Sequence, residues 1–191
     1  MNLLPYICIL VITWLLPGAY AQQPRYFEKF YGWSQQQHGW ILLEAKNSSG
    51  YYIIGQQIDS ADTNPVKWHG IIYRVDEKGD TLWTRTYYKD TMGVYFRHAV
   101  HALDGNILII GSIKEVTTEK VYINIIKTDT SGNVLWDKQI ISYTDNVFHN
   151  YAGRNIINTS GNGYLVLADS QADTTDTLCC DIDIYLARFD S

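Results

Sequence analysis

A short signature occurs twice in register along this chain, as RVDEKGDTLWTRTYY and KTDTSGNVLWDKQII. In each copy an Asp is followed by a Gly and then a Trp at the same spacing: Asp76, Gly79, Trp83 and Asp129, Gly132, Trp136. The copies stand 53 residues apart, and ARFD opens a third at Asp190, 61 residues after Asp129. A period near 50 with several strand-like runs per unit is the mark of a stacked β-repeat. Repetition of this kind constrains architecture closely and says little about chemistry.

Aligned on the signature, each unit holds four strand-like runs. The first runs are Gly39–Ala45, Val94–Leu103 and Tyr151–Thr159. The second follow a Gly turn: GYYIIGQQI from Gly50, GNILIIGSI from Gly105 and GYLVLADSQ from Gly163. The third are GIIYRVD, INIIKTD and IYLARFD, and the fourth are TLWTRTYY and VLWDKQII. With 15 Tyr, 6 Trp and many β-branched residues, these runs suit pleated, half-buried surfaces. After residue 21 no stretch carries a helical apolar period.

Alternation gives the signature a physical reading. The Asp side chain is expected to accept from the turn backbone, and the Gly to supply the dihedral freedom of a tight hairpin. Arg74, Lys127 and Arg188 stand two residues before each Asp, hence on the same strand face, which predicts exposed ion pairs of little energetic weight. Trp83, Arg85 and Tyr87 share a face, as do Trp136, Lys138 and Ile140. Each Trp is read as a packing plug between neighbouring repeats, with the basic stem lying along it. RYFEKFYG, near the start, aligns with the fourth strand: Phe27 with Trp83, Lys29 with Arg85, Tyr31 with Tyr87. Residues 25–31 therefore read as an orphan outer strand.

Residues 1–21 read as a secretory signal: an apolar stretch Leu3–Leu16, a Pro17–Gly18 break and Ala19-Tyr20-Ala21 before Gln22. The stretch is short for a span of roughly 20 apolar residues, so cleavage is favoured over an anchor. Residues 22–191 then form one domain, secreted or held at the cell surface, with no membrane span after the signal. The net charge of −5, with no basic run, argues against nucleic acid as a partner. Cys179 and Cys180 are adjacent, which leaves two readings, free thiols or a strained vicinal disulfide.

Segments such as VYINIIKTDTSGNVLWDKQI resemble the repeats of secreted Bacteroidetes proteins, which often carry a type IX sorting domain. The Asp–Gly–Trp hairpin is also similar to the Trp-docking motif of quinoprotein-type propellers, shortened by one residue between Asp and Gly. The resemblance spans roughly residues 25–190 and implies a fold. It implies no activity, and no quinone cofactor is carried over.

Residues with chemical capacity are few and scattered. His98 and His101 form H-x-x-H, but on a strand that spacing places them on opposite faces, so no zinc pair is expected. His38, His69 and His149 stand alone. Acidic loops at Asp59 and Asp62, and at Asp173, Asp176, Asp181 and Asp183, have the oxygen donors calcium takes but lack a Ca²⁺-loop spacing. Gly161-Asn162-Gly163 is a hairpin turn. No catalytic residue, metal or cofactor is assigned. If a ligand surface exists, it belongs to the innermost strands, with Trp40, Arg97, His101, Arg154 and Asn155 as its candidates.

The expected fold is all-β: a propeller-like array of three four-stranded antiparallel blades at about 39–88, 94–142 and 151–190, forming a partial propeller. Three blades fall below the usual four to eight. That leaves a fragment of a longer product, which is favoured, an open arc, or a homodimer closing a six-bladed ring. The expected role is a non-catalytic module for binding, adhesion or spacing in an exported bacterial protein, with a glycan or a protein at the cell surface as partner. The alternatives are part of an extracellular glycan-active hydrolase and the ectodomain of a sensor.

Overall fold

The computed structural model describes residues 27–32, 36–46, 48–58, 67–140, 143–144, 147–172 and 182–190. The signal segment, the loop holding Asp59 and Asp62, and the residues Asp173, Asp176, Cys179, Cys180 and Asp181 lie outside them. The chain is all-β, and no helix occurs among the described residues. Among the described residues twelve strands follow in chain order. They are β1 (Gln37–Glu44), β2 (Tyr51–Ile58), β3 (Trp68–Val75), β4 (Thr81–Tyr87), β5 (Met92–His101), β6 (Ile107–Glu115), β7 (Val121–Thr128), β8 (Val134–Ile140), β9 (Tyr143–Thr144), β10 (Val147–Asn158), β11 (Gly163–Ala172) and β12 (Ile182–Asp190).

They form three antiparallel sheets, each a meander: β1-β2-β3-β4, β5-β6-β7-β8 and β10-β11-β12. The third carries the two-residue β9 beside the start of β10. None of the sheets is closed. The first two match the strand expectations closely. In the third, β10 begins at Val147, before the expected Tyr151, because its lead-in folds back as a short hairpin with β9.

The sheets stack face to face around two cores. Tyr52, Ile54, Ile72, Phe96 and Ile109 lie in the cluster between the first and second sheets. Leu108, Ile110, Ile125, Tyr151, Ile156 and Val166 fill the cluster between the second and third. The second sheet is thus covered on both faces. That explains why β6, ILIIGSI, is an unbroken buried run, whereas the outer strands β4 and β8 are mostly exposed, with Trp83 and Trp136 part-buried. Each fully buried Ile contributes about 1.5–3 kcal/mol relative to exposure.

The signature hairpins join β3 to β4 and β7 to β8. Asp76 Oδ1 accepts the N–H groups of Lys78 (2.8 Å) and Asp80 (2.9 Å). Asp129 Oδ1 accepts those of Ser131 (2.9 Å) and Asn133 (2.8 Å), and its Oδ2 also takes the Asn133 amide (2.8 Å). Gly79 and Gly132 sit at φ +79° and +80°, where a side chain is strained. Trp83 and Arg85 lie directly on Gly132, where a Cβ would come within 2.8 Å of both. The Tyr87 hydroxyl donates to the Gly132 carbonyl oxygen at 2.8 Å. The Trp of one sheet is therefore seated on the turn glycine of the next.

Two sequence expectations need correction. Arg74 forms no exposed ion pair with Asp76. It is buried, stacks on Tyr52 at 4.9 Å, and donates to Ser48 Oγ and the Ser49 carbonyl at 2.7 Å and to the Val75 carbonyl. Lys127 reaches Asp104 at 2.8 Å, and the Arg188 guanidinium lies against Gly161. All three cations thus brace the turn between the first and second strands of their own sheet. That turn supplies carbonyls or a carboxylate, whereas each signature Asp is already engaged by turn N–H groups where these are described. Residues 27–32 form no strand, since they ladder with no strand among the described residues. They nevertheless dock as aligned: a Cβ on Gly79 would meet the Phe27 ring at 2.6 Å, Tyr31 donates to the Gly79 carbonyl at 2.9 Å, and Lys29 pairs with Asp80 at 2.9 Å.

Candidate functional site

The first strands β1, β5 and β10 lie side by side, and each carries one β-bulge at the same level. Register slips between Gly39 and Ile41, between Phe96 and His98, and between Gly153 and Asn155. The unpaired residues are Trp40, Arg97 and Arg154. A bulge bends its strand and re-aims one side chain. Three bulges in register therefore present an indole and two guanidiniums along one edge of the stack.

Glycines make this possible. A Cβ on Gly55 would stand 1.9 Å from the His38 carbonyl oxygen, and one on Gly111 would stand 1.8 Å from that of Tyr95. Only Gly lets the second strand approach a bulged first strand so closely. The third sheet has Ala168 there and instead places Gly153 within reach of the Gly111 carbonyl. The repeated IIG in YIIGQQ and LIIGSI is thus the sequence trace of the bulges, a signal the strand reading passed over.

The three side chains stand in a row, Trp40 and Arg97 in contact and Arg154 near enough for its charge to act on Arg97. The Arg97 guanidinium lies over the Trp40 ring at 4.9 Å. Trp40 stacks on His38 with centroids 6.0 Å apart and planes 13° from parallel. Arg154 pairs with Asp169, Nε to Oδ2 at 2.6 Å, and Nη2 meets the same oxygen. Burial, and after it the charge of Arg154, hold the Arg97 guanidinium below its usual range, although it stays charged. Arg97 has no carboxylate partner among the described residues, while Arg154 has one. The row therefore offers a half-buried cation in need of an anion, flanked by a flat, exposed indole.

The remaining candidates separate from this row. His101 is buried and faces the first sheet, with Nε2 2.6 Å from the Glu44 carbonyl oxygen. His98 faces the third sheet, where its Nδ1 accepts the Ile156 N–H at 3.4 Å, and burial lowers its pKa. The two rings of H-x-x-H thus point to opposite faces and brace neighbouring sheets. Asn155 is part-buried beside the bulge, its Oδ1 without a partner among the described residues. Asp169 was not singled out in the sequence; it lies across from Ala152, next to the third bulge. Among the described residues no group of three or more His, Cys, Asp or Glu is arranged to hold a metal ion. The His69 and Tyr88 rings lie 4.5 Å apart with their planes tilted by 52°, and His149 is placed only by its backbone pairing with Ala172.

What the row can do chemically is bind. A guanidinium takes a carboxylate or sulfate through paired N–H donors, and an indole takes the apolar face of a sugar or a ring. No family model matches the chain, and no relative is found among curated proteins.

Proposed function

We propose that the chain is a non-catalytic binding module of an exported bacterial protein, built as a partial propeller whose ligand site is the edge row Trp40–Arg97–Arg154. The observation that carries this reading is the set of three bulges in register, each re-aiming a residue that strand alternation would have placed in the ladder. Structural economy does not call for three bulges, since each disrupts its ladder locally. A site that aims side chains at a ligand does. The resemblance to secreted Bacteroidetes repeats and the signal-like residues 1–21 support export to the cell surface. The ligand chemistry the row fits is an acidic glycan: Trp40 takes the C–H face of a sugar, and Arg97 takes its carboxylate.

The test is calorimetric titration with an oligouronate and with its neutral counterpart. The acidic chain is expected to bind and the neutral one to bind at least tenfold more weakly. Arg97→Ala loses the preference, Trp40→Ala weakens both glycans alike, and Arg154→Ala loses less of the preference because Asp169 already occupies that guanidinium. Equal binding of the two glycans, or wild-type binding by Arg97→Ala, overturns the reading.

A further inference from the structure

The two ends of the stack expose the two halves of an interface that the molecule already makes twice. Equivalent positions follow from the cross-strand pairs. Ile72 pairs with Ile54 in the first sheet, Ile125 with Ile110 in the second, and Leu186 with Leu167 in the third. Ile72 is 0% and Ile125 4% exposed, because the next sheet covers each; Leu186 is 61% exposed. Ile184 and Leu167, on the same face as Leu186, are exposed as well. The opposite end shows the complementary pattern. Leu42 pairs with Ile53, Ala99 with Ile109 and Ile156 with Val166. Ala99 is 3% and Ile156 1% exposed, each against the preceding sheet, whereas Leu42 is 69% exposed.

A second pair of unmatched parts lies at the same two ends. β12 has no strand on its outer side among the described residues. Residues 27–31 behave as an outer strand without a sheet: they seat Phe27, Lys29 and Tyr31 on the Gly79 turn as Trp83, Arg85 and Tyr87 seat on Gly132, yet form no β-ladder with the described residues. In the first sheet the outer strand pairs Trp83 with Arg74, Arg85 with Ile72 and Tyr87 with Gly70. The same register places Phe27 opposite Arg188, Lys29 opposite Leu186, and Tyr31 opposite Ile184.

We infer that two copies of this chain associate head to tail, the first sheet of each packing on the third sheet of the other, with residues 27–31 of each completing the partner's β12. The occupant is a second copy because each free half is the register counterpart of a half that this chain already buries against itself, so the new contact continues an established one. Each contact joins two different patches, and the pair of contacts closes around a two-fold only if the rotation per sheet allows a ring. Two copies give six sheets, within the usual four to eight of a closed array, and closure removes the edge of β12. The second copy also brings its own Trp40, Arg97 and Arg154 to the inner edge. The association does not depend on the glycan reading.

Mass and linkage test it. Light scattering on the full chain at about 20 µM, where a dimer with a micromolar Kd is mostly formed, is expected to give twice the chain mass. Ile184→Asp changes an exposed side chain and is expected to give a monomer with an unchanged β-type circular dichroism spectrum; Leu42→Asp is a second variant that breaks the other half. A chain carrying Lys29→Cys and Leu186→Cys is expected to oxidise to a covalent dimer, since directly opposed Cβ atoms lie about 4.5–5.5 Å apart. A monomeric wild type overturns the inference. So does a dimer that survives both Asp variants, a double-cysteine chain that never links between copies, or an open ladder of larger species. A monomer that still prefers the oligouronate leaves the binding reading standing while this one falls.

Discussion

Two turn glycines receive the same three kinds of side chain, an aromatic, a cation and a Tyr, in two different settings. At Gly132 the visitors are Trp83, Arg85 and Tyr87, carried by β4, a strand laddered onto β3. At Gly79 they are Phe27, Lys29 and Tyr31, carried by a segment with no ladder. The local chemistry is conserved between the two: an aromatic on the Gly, a cation over the turn, a Tyr hydroxyl on the Gly carbonyl. The setting is what differs, and it decides how firmly the dock is held. A laddered strand has already lost its backbone entropy to its neighbour, so its side chains dock at little further cost. A free segment must lose about 1–2 kcal/mol of backbone entropy per ordered residue for the same contacts. Equal contacts are therefore expected to have unequal worth.

The largest separation is expected from truncating the aromatics. Trp83 packs against the first core and its ring lies 6.1 Å from that of Tyr52. Trp83→Ala should cost about 3 kcal/mol, near the low end for a large aromatic that is only part-buried. Phe27→Ala should cost about 1 kcal/mol, because its ring is exposed and its segment can leave the turn. Urea midpoints at constant slope measure both. Equal losses would mean that the ladder adds nothing to the dock.

Adding a methyl group sharpens the same contrast. Gly132→Ala forces a Cβ into a left-handed backbone and to within 2.8 Å of Trp83, which β4 holds in place. About 2–3 kcal/mol is expected, with roughly 1–2 from the backbone alone. Gly79→Ala carries the same backbone strain, but Phe27 can lift away from its Cβ. The loss there should stay near the backbone figure, and the difference between the two variants isolates the dock. The hydroxyls give a smaller version: Tyr87→Phe should cost about 1 kcal/mol for the lost bond to a buried carbonyl. The Tyr87 hydroxyl is buried deeply enough that its pKa is pushed well up, so it stays a donor throughout the working range. Tyr31→Phe should be close to silent.

Much of this comparison was legible before any coordinates. The Phe27–Trp83, Lys29–Arg85 and Tyr31–Tyr87 alignment placed the docks correctly because period-2 side chains and a turn glycine leave a readable trace. What failed was what the period does not encode. Whether Arg74 faces Asp76 or the Ser48–Ser49 turn depends on which group still lacks a partner, and the Asp76 carboxylate is already taken by backbone N–H groups. Residues 27–31 read as a strand because a strand pattern does not say whether a neighbour exists. Trp40, Arg97 and Arg154 stand out in the sequence as residues of the innermost strands, but their convergence comes from bulges, which strand alternation does not encode. His101 and Asn155 were picked on the same ground and lie away from the row. The one clue to the bulges, a Gly at the middle of each of two apolar second strands, reads in isolation as a small residue in a core.

The smallest effect compares the two turns themselves through pH. Backbone donation, above all from the Asp80 N–H, holds the Asp76 carboxyl below its usual value. At Asp129 burial pushes the other way, but the side-chain and backbone donors of Asn133 and the N–H of Ser131 outweigh it, and the carboxyl is again lowered. A folded pKa below the unfolded one gives stability that is present above about pH 4 and lost as pH falls through the folded value. Urea midpoints should hold steady from neutral pH down to about pH 5 and then decline as the turns release their donors. Asp129→Asn should flatten that acid limb more than Asp76→Asn, because only Asp129 also holds a side-chain amide, from Asn133. Both carboxylates are solvent-facing, so the difference will be small and is best read as a change in limb slope. Equal flattening by the two variants would assign the acid response to the backbone donors that the turns share, and would remove the Asn133 amide as a distinction between them.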